Sequence, residues 1–244
     1  MIQTQSSPTC DNSDYSSNNG KVKLLTEDLG KIFEKAICLA FGIEYDGKYK
    51  YGLEAPEKLR PRLARLVEIF PPCIHTAKKG ARYDFTCIED GTRHLSAKTT
   101  KGNGKVAPQV IGQSQPQKFC ETLNIPYTGV LELKRYIQEN IKLLLPSMVS
   151  HTLDSSNIYY NSKKDTIKYI TLASPIEWDN YTYDWSCSWE TWNNSSVLKI
   201  VTPEKKIPLM EFQFHSKSRT NMAVRWCFEE FLQLFQSHLN IENL

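Results

Sequence analysis

Two short runs constrain this chain most. Tyr83-Asp84-Phe85-Thr86-Cys87-Ile88 and His94-Leu95-Ser96-Ala97-Lys98-Thr99-Thr100 are rich in β-branched and aromatic residues, and Asp90-Gly91 between them is turn chemistry. The composition predicts strands over about 82–88 and 94–99, joined tightly and lying side by side. Strand residues alternate faces, so Ser96 and Lys98 point one way and Ala97 turns into the packing. Asp84 on the neighbouring strand can face the same side. A carboxylate beside a lysine on one sheet face is able to hold a divalent cation and ready a water for attack on phosphate. Ser96 stands where a second acidic ligand is wanted.

Around this pair the basic residues gather: Lys78-Lys79, Lys98, Lys101 and Lys105. The whole chain of 244 residues carries a net charge of only +3, which permits a nucleic-acid partner without demanding one. Its length suffices for one good core, or a core with a small appended lobe. Seven cysteines lack CxxC spacing and read as reduced, mostly buried thiols of a cytoplasmic protein, with no zinc knuckle. No apolar run is long enough to span a membrane, and the start has no apolar leader segment. Residues 1–20, rich in Ser, Asn, Thr and Gln, are expected to form a flexible tail.

Helical periodicity is clear from Thr26, an N-cap residue, through Leu29, Ile32, Phe33, Ala36, Ile37 and Ala40 to Gly42, with Glu34 beside the apolar stripe. A second helix is predicted up to Phe70, stopped by Pro71-Pro72, and a longer one from Gly129 to Leu145, stopped by Pro146. Further strands are expected at 166–172, 197–201 and 209–215, and a terminal helix from Val224 to Leu239. The pattern predicts an α/β (mixed α+β) domain over 21–244.

Asp84 followed by Ser96-x-Lys98 resembles the PD-(D/E)xK nuclease motif, and within that superfamily the type II restriction endonucleases. The resemblance covers roughly residues 26–115, with a fainter part at 209–225. It implies a restriction-endonuclease-like fold, a central mixed sheet flanked by helices. It implies Mg²⁺-dependent, site-specific hydrolysis of double-stranded DNA leaving 5′-phosphates, with DNA-recognition elements in the C-terminal half of the domain. The first motif acid maps onto Asp84, the lysine onto Lys98, and the second acid onto Ser96, which departs from the pattern. A helical glutamate often precedes the sheet in this family, and Glu34 sits where it would supply the missing carboxylate. The implied metal ligands are Asp84 and Glu34, and the implied partner is a DNA methyltransferase acting on the same site without a stable complex. Whether one chain or a homodimer cuts is left open.

DNA contacts are expected from Lys101, Asn103 and Lys105 in a flexible loop that is not a P-loop. Gln109 and Gln113 come next as amides able to reach base edges. His215, Lys217, Arg219 and Arg225 complete the set. Each has a plainer alternative: Asp84 as a surface carboxylate paired with Arg82 or Lys79, Lys98 as a solvated strand lysine, Glu34 as a helix-surface residue. Glu211, Gln213 and His215 share one strand face and form a minor alternative metal site. The tryptophan-rich run 178–192 reads as core edge, or else as a stacking surface. Two other functions stay open, an inactive DNA-binding protein of nuclease-like fold and a structure-specific repair or recombination nuclease.

Overall fold

The computed structural model describes residues 26–78, 81–102, 104–215 and 221–244. The expected tail, Lys79, Asn103, Lys217 and Arg219 lie outside the described residues. In chain order the helices are α1 (Thr26–Phe41), α2 (Glu54–Leu59), α3 (Ala64–Ile69), α4 (Pro116–Thr122), α5 (Val130–Glu139), α6 (Ile141–Leu153) and α7 (Phe228–Leu234). The strands are β1 (Cys73–His75), β2 (Phe85–Cys87), β3 (His94–Thr100), β4 (Lys105–Val106), β5 (Gln113–Ser114), β6 (Ser156–Asn161), β7 (Thr166–Leu172), β8 (Thr182–Trp185), β9 (Ser195–Val201), β10 (Lys206–Phe214), β11 (Met222–Cys227) and β12 (Leu239–Asn243).

These strands form two sheets where the sequence suggested one central sheet. The first runs β1-β2-β3-β6-β7-β12 and is mixed, because β3 and β6 are parallel while its other pairs are antiparallel. The second runs β4-β11-β10-β9-β8, with β5 also paired to β11, and is antiparallel throughout. Alternation along β3 and β6 separates two cores. Leu95, Ala97, Ile158 and Tyr160 face α1 and pack with Phe33, Ile37, Leu66 and Phe85. Tyr159, on the other face, joins a larger core built from Phe212, Trp226, Phe228, Leu145 and Met148. Trp178 and Trp192 are buried in that core, so the tryptophan-rich run contributes packing at both ends.

Three elements differ from expectation. Residues 222–227 form a strand, not the start of a terminal helix. Met222, Val224 and Trp226 belong to the core while Arg225 is only half-buried, a period of two that β10 satisfies by pairing along its length. Beyond this strand the chain forms α7, a single 3-10 turn at 236–238, and β12. The expected helix 129–145 divides at Asn140, and Pro146 lies inside α6 instead of ending a helix. The helix ending near Phe70 is broken into α2 and α3 by a 3-10 turn whose second residue is Pro61, a residue that cannot donate to the preceding turn.

Candidate active site

Asp84 immediately precedes β2. The β2–β3 register pairs Phe85 with Leu95, which sets Asp84 across from Ser96. The backbone N–H of Ala97 donates to Asp84 Oδ2 at 2.7 Å, fixing the carboxylate against β3. Arg82 is engaged elsewhere, 2.6 Å from Asp154, so the plain surface pairing of Asp84 with Arg82 does not form. Burial pushes the Asp84 carboxyl up to about 6, against the pull of Lys98; the nearby charge of Glu34 adds to the rise, and the Ala97 bond opposes it. Lys98 is lowered by the same burial, while Asp84, Glu34 and Asp154 work to keep it charged. The two motif residues therefore share a desolvated spot in which each is drawn toward neutrality.

Glu34 comes from α1, and its side chain is 17% exposed. Its Oε2 lies 3.3 Å from His75 Nε2 and 3.5 Å from the Tyr45 hydroxyl. The helix glutamate, Lys98, Ala97 and Thr99 line a groove of about 850 Å³, of which Asp84 itself is not a lining residue. Lys31, Lys101, Lys105, Gln113 and Arg225 line the same groove. One wall is thus α1 and β3, and the other is the edge of the second sheet. In that wall Lys105 pairs with Glu211 at 2.7 Å, and Arg225 lies 3.9 Å from the same carboxylate and donates to Gln213 Oε1 at 3.3 Å. Glu211 is buried and flanked by two cations, which satisfies its charge and leaves it a poor metal ligand, so the alternative metal site is not assembled. His215, one residue beyond β10, lines a separate pocket of about 510 Å³ with Phe214, Lys134 and Tyr127.

Ser96 does not line the groove. It is fully buried, and its hydroxyl receives a short hydrogen bond from Gln109 Nε2 and another from Ser155 at 3.4 Å. Gln109 is accordingly turned inward and is only 7% exposed, away from any base edge. The cause is the fold of the segment after β4. Gln109 N–H donates to His151 O at 2.7 Å and Gly112 N–H to Pro108 O at 3.1 Å, which coils the segment onto α6. A Cβ on Gly112 would stand 2.4 Å from Pro108 O, so the coil needs a glycine there. The position of the missing acid is filled by a neutral polar contact, serine to glutamine.

The donors present fit a hard divalent cation. Among the described residues no three His, Cys, Asp or Glu side chains cluster to hold a metal by themselves. Mg²⁺ does not ask for that; it commonly takes one or two carboxylates and fills its shell with water and substrate phosphate. Asp84 and Glu34 are two carboxylates whose mutual repulsion contributes to the raised Asp84, a repulsion that a bound cation would relieve. Sequence reasoning missed His75 and Tyr45. The signal for His75 was the alternation Cys73-x-His75 after the double proline, a three-residue strand too short to stand out.

Among the described residues no helix is long and apolar enough to cross a membrane. No family model matches the chain, and no solved structure matches it. The chain spans 64% of the length of a curated relative that it matches over 92% of its own. Across those 228 residues it is 40% identical to the type II restriction enzyme CviAII of Paramecium bursaria Chlorella virus 1.

Proposed function

We propose that this chain is a type II site-specific endonuclease of the PD-(D/E)xK kind that hydrolyses double-stranded DNA with Mg²⁺ and leaves 5′-phosphates. The observation that carries the reading is the electrostatic grouping of Asp84 with Lys98 and Glu34, the latter two lining a groove that Lys105 and Arg225 also line. The likeness to a type II restriction enzyme supports the same choice. Residues 21–244 act as one nuclease unit on this reading, with base reading from the second sheet, and a methyltransferase of the same site protects the host DNA.

Mg²⁺, when bound, supplies charge for the phosphate oxygens and acidifies water. Asp84 and Glu34 would hold it. Burial lowers the proton affinity of Lys98, so that its neutral form is available to position and deprotonate the attacking water, while its charged form stabilises the pentacovalent phosphate. Ser96 and Gln109 take no part in the chemistry; they brace β3 against the segment after β4. Lys101, Lys105, Gln113 and Arg225 track the duplex along the groove.

The test is incubation with mixed-sequence plasmid in Mg²⁺ and in EDTA. Discrete bands that require Mg²⁺ are expected. Asp84→Asn and Lys98→Ala should each abolish them while DNA binding persists. Smears or branch-dependent cuts would instead indicate a repair nuclease, and tight binding without cleavage an inactive relative; full activity of either variant would sink the assignment.

A further inference from the structure

His75 is a buried histidine for which the chemistry above has no use. It lies on β1, its side chain 1% exposed, stacked on Tyr45 with ring centres 4.5 Å apart and against Phe85 at 5.0 Å. The backbone N–H of Asp46 donates to its Nδ1 at 2.9 Å. A backbone amide can only donate, so Nδ1 is the acceptor and the ring proton sits on Nε2. Nε2 faces Glu34 Oε2 at 3.3 Å, and the hydrogen bond between them therefore runs from imidazole to carboxylate. The Tyr45 hydroxyl donates to the same oxygen.

From this geometry we infer that His75, with Tyr45, is a positioning residue for Glu34: it fixes one carboxylate oxygen and so presents Glu34 to a divalent cation at the groove. The inference rests on the proposed role of Glu34 as a metal ligand. The ring donates as a neutral group, so it orients the glutamate without cancelling the charge that attracts a cation. The loop after α1 supplies both Tyr45 and the Asp46 amide. Outer partners of metal ligands commonly account for about 10–100-fold in metal affinity or activity.

Two substitutions divide the histidine's bonds between them. His75→Gln keeps a donor at the Nε2 position, and His75→Asn keeps only the acceptor for the Asp46 amide. Mn²⁺ alone is titrated into the full chain and monitored by its paramagnetic resonance signal, with thermal unfolding measured in parallel. His75→Asn is expected to weaken Mn²⁺ binding about tenfold, and His75→Gln to stay close to the original protein. Tyr45→Phe, which removes one hydroxyl from an otherwise intact stack, should weaken it about threefold and serves if His75→Asn does not fold. Should Glu34→Gln lose Mn²⁺ binding while both His75→Asn and Tyr45→Phe retain it, or while Tyr45→Phe alone retains it and His75→Asn fails to fold, the positioning role is overturned and the metal site stands. Unchanged binding in Glu34→Gln overturns the ligand role of Glu34 and this inference with it, leaving Asp84 and Lys98 to be judged by cleavage.

Discussion

Asp84 and Lys98 are drawn in opposite directions by one cause. Burial raises the acid to about 6 and lowers the lysine, so each gives up part of its preference for the charged form. The raised acid sets the sign of the pH dependence. On the proposed function, Asp84 gains a proton below about pH 6 and can then no longer serve as a metal ligand. Cleavage at subsaturating Mg²⁺ should therefore fall about tenfold per unit as pH drops below that value, and excess Mg²⁺ should move the fall to lower pH, since the cation competes with the proton. A rate profile between about pH 5 and 8 at two Mg²⁺ concentrations checks this, and a flat profile at low Mg²⁺ would remove Asp84 from the role. The spacing of Asp84 and Lys98 was legible because strand alternation is a rigid rule, and the β2–β3 register obeys it. The fate of Ser96 was not. Its partners Gln109 and Ser155 are 13 and 59 residues away, and nothing in the local sequence says that a loop glutamine turns inward.

At the scale of elements, the coil between β4 and β5 determines how the groove is walled. It carries Gln109 to Ser96 and is closed by tight backbone bonds, one of them from Ile111 N–H to Gln109 O at 2.6 Å. Val110 at its tip has φ 65°, a left-handed conformation that a β-branched residue adopts at a cost of about 1–2 kcal/mol. Its side chain is 45% exposed, so little packing compensates. Val110→Gly should raise stability by about 1 kcal/mol, seen as a melting midpoint about 2–4 °C higher. A lower midpoint would show that the valine packs more firmly than its exposure indicates. The elements that the sequence revealed are those with long, unmixed periods: α1, β3, β7 and β10. Those it hid were decided by distant partners. Residues 222–227 have apolar side chains dense enough to suit a helix, and only the presence of β10 along one side and β4 and β5 along the other makes them a strand.

For the whole molecule, the groove is shared between the two sheets, with lining residues from β3 of the first and from β4, β5 and β11 of the second. The β6 strand divides the cores, with Tyr160 in one and Tyr159 in the other. Glu229 of α7 ties the second core to this strand, accepting from Tyr159 at 2.9 Å, Asn161 at 2.7 Å and Lys164 at 2.9 Å. Gly104, at φ 67°, leaves room for that glutamate, whose Cγ would come within 2.6 Å of a Cβ there. On the proposed function, lysines along this groove contribute to DNA affinity through phosphate. Lys101→Ala should weaken binding to all duplexes alike and reduce the slope of log affinity against log salt by about 1. A change confined to one sequence would mean that Lys101 reads a base.

The short link from β3 to β4 has one more consequence. Lys98 and Lys105 belong to different sheets yet are separated by only seven positions of chain. On the proposed function, the bond that breaks and the bases that are read are gauged against each other by that piece of backbone. The offset between cut and recognised bases then behaves as a built-in ruler, altered by lengthening the link and indifferent to which side chains do the cutting.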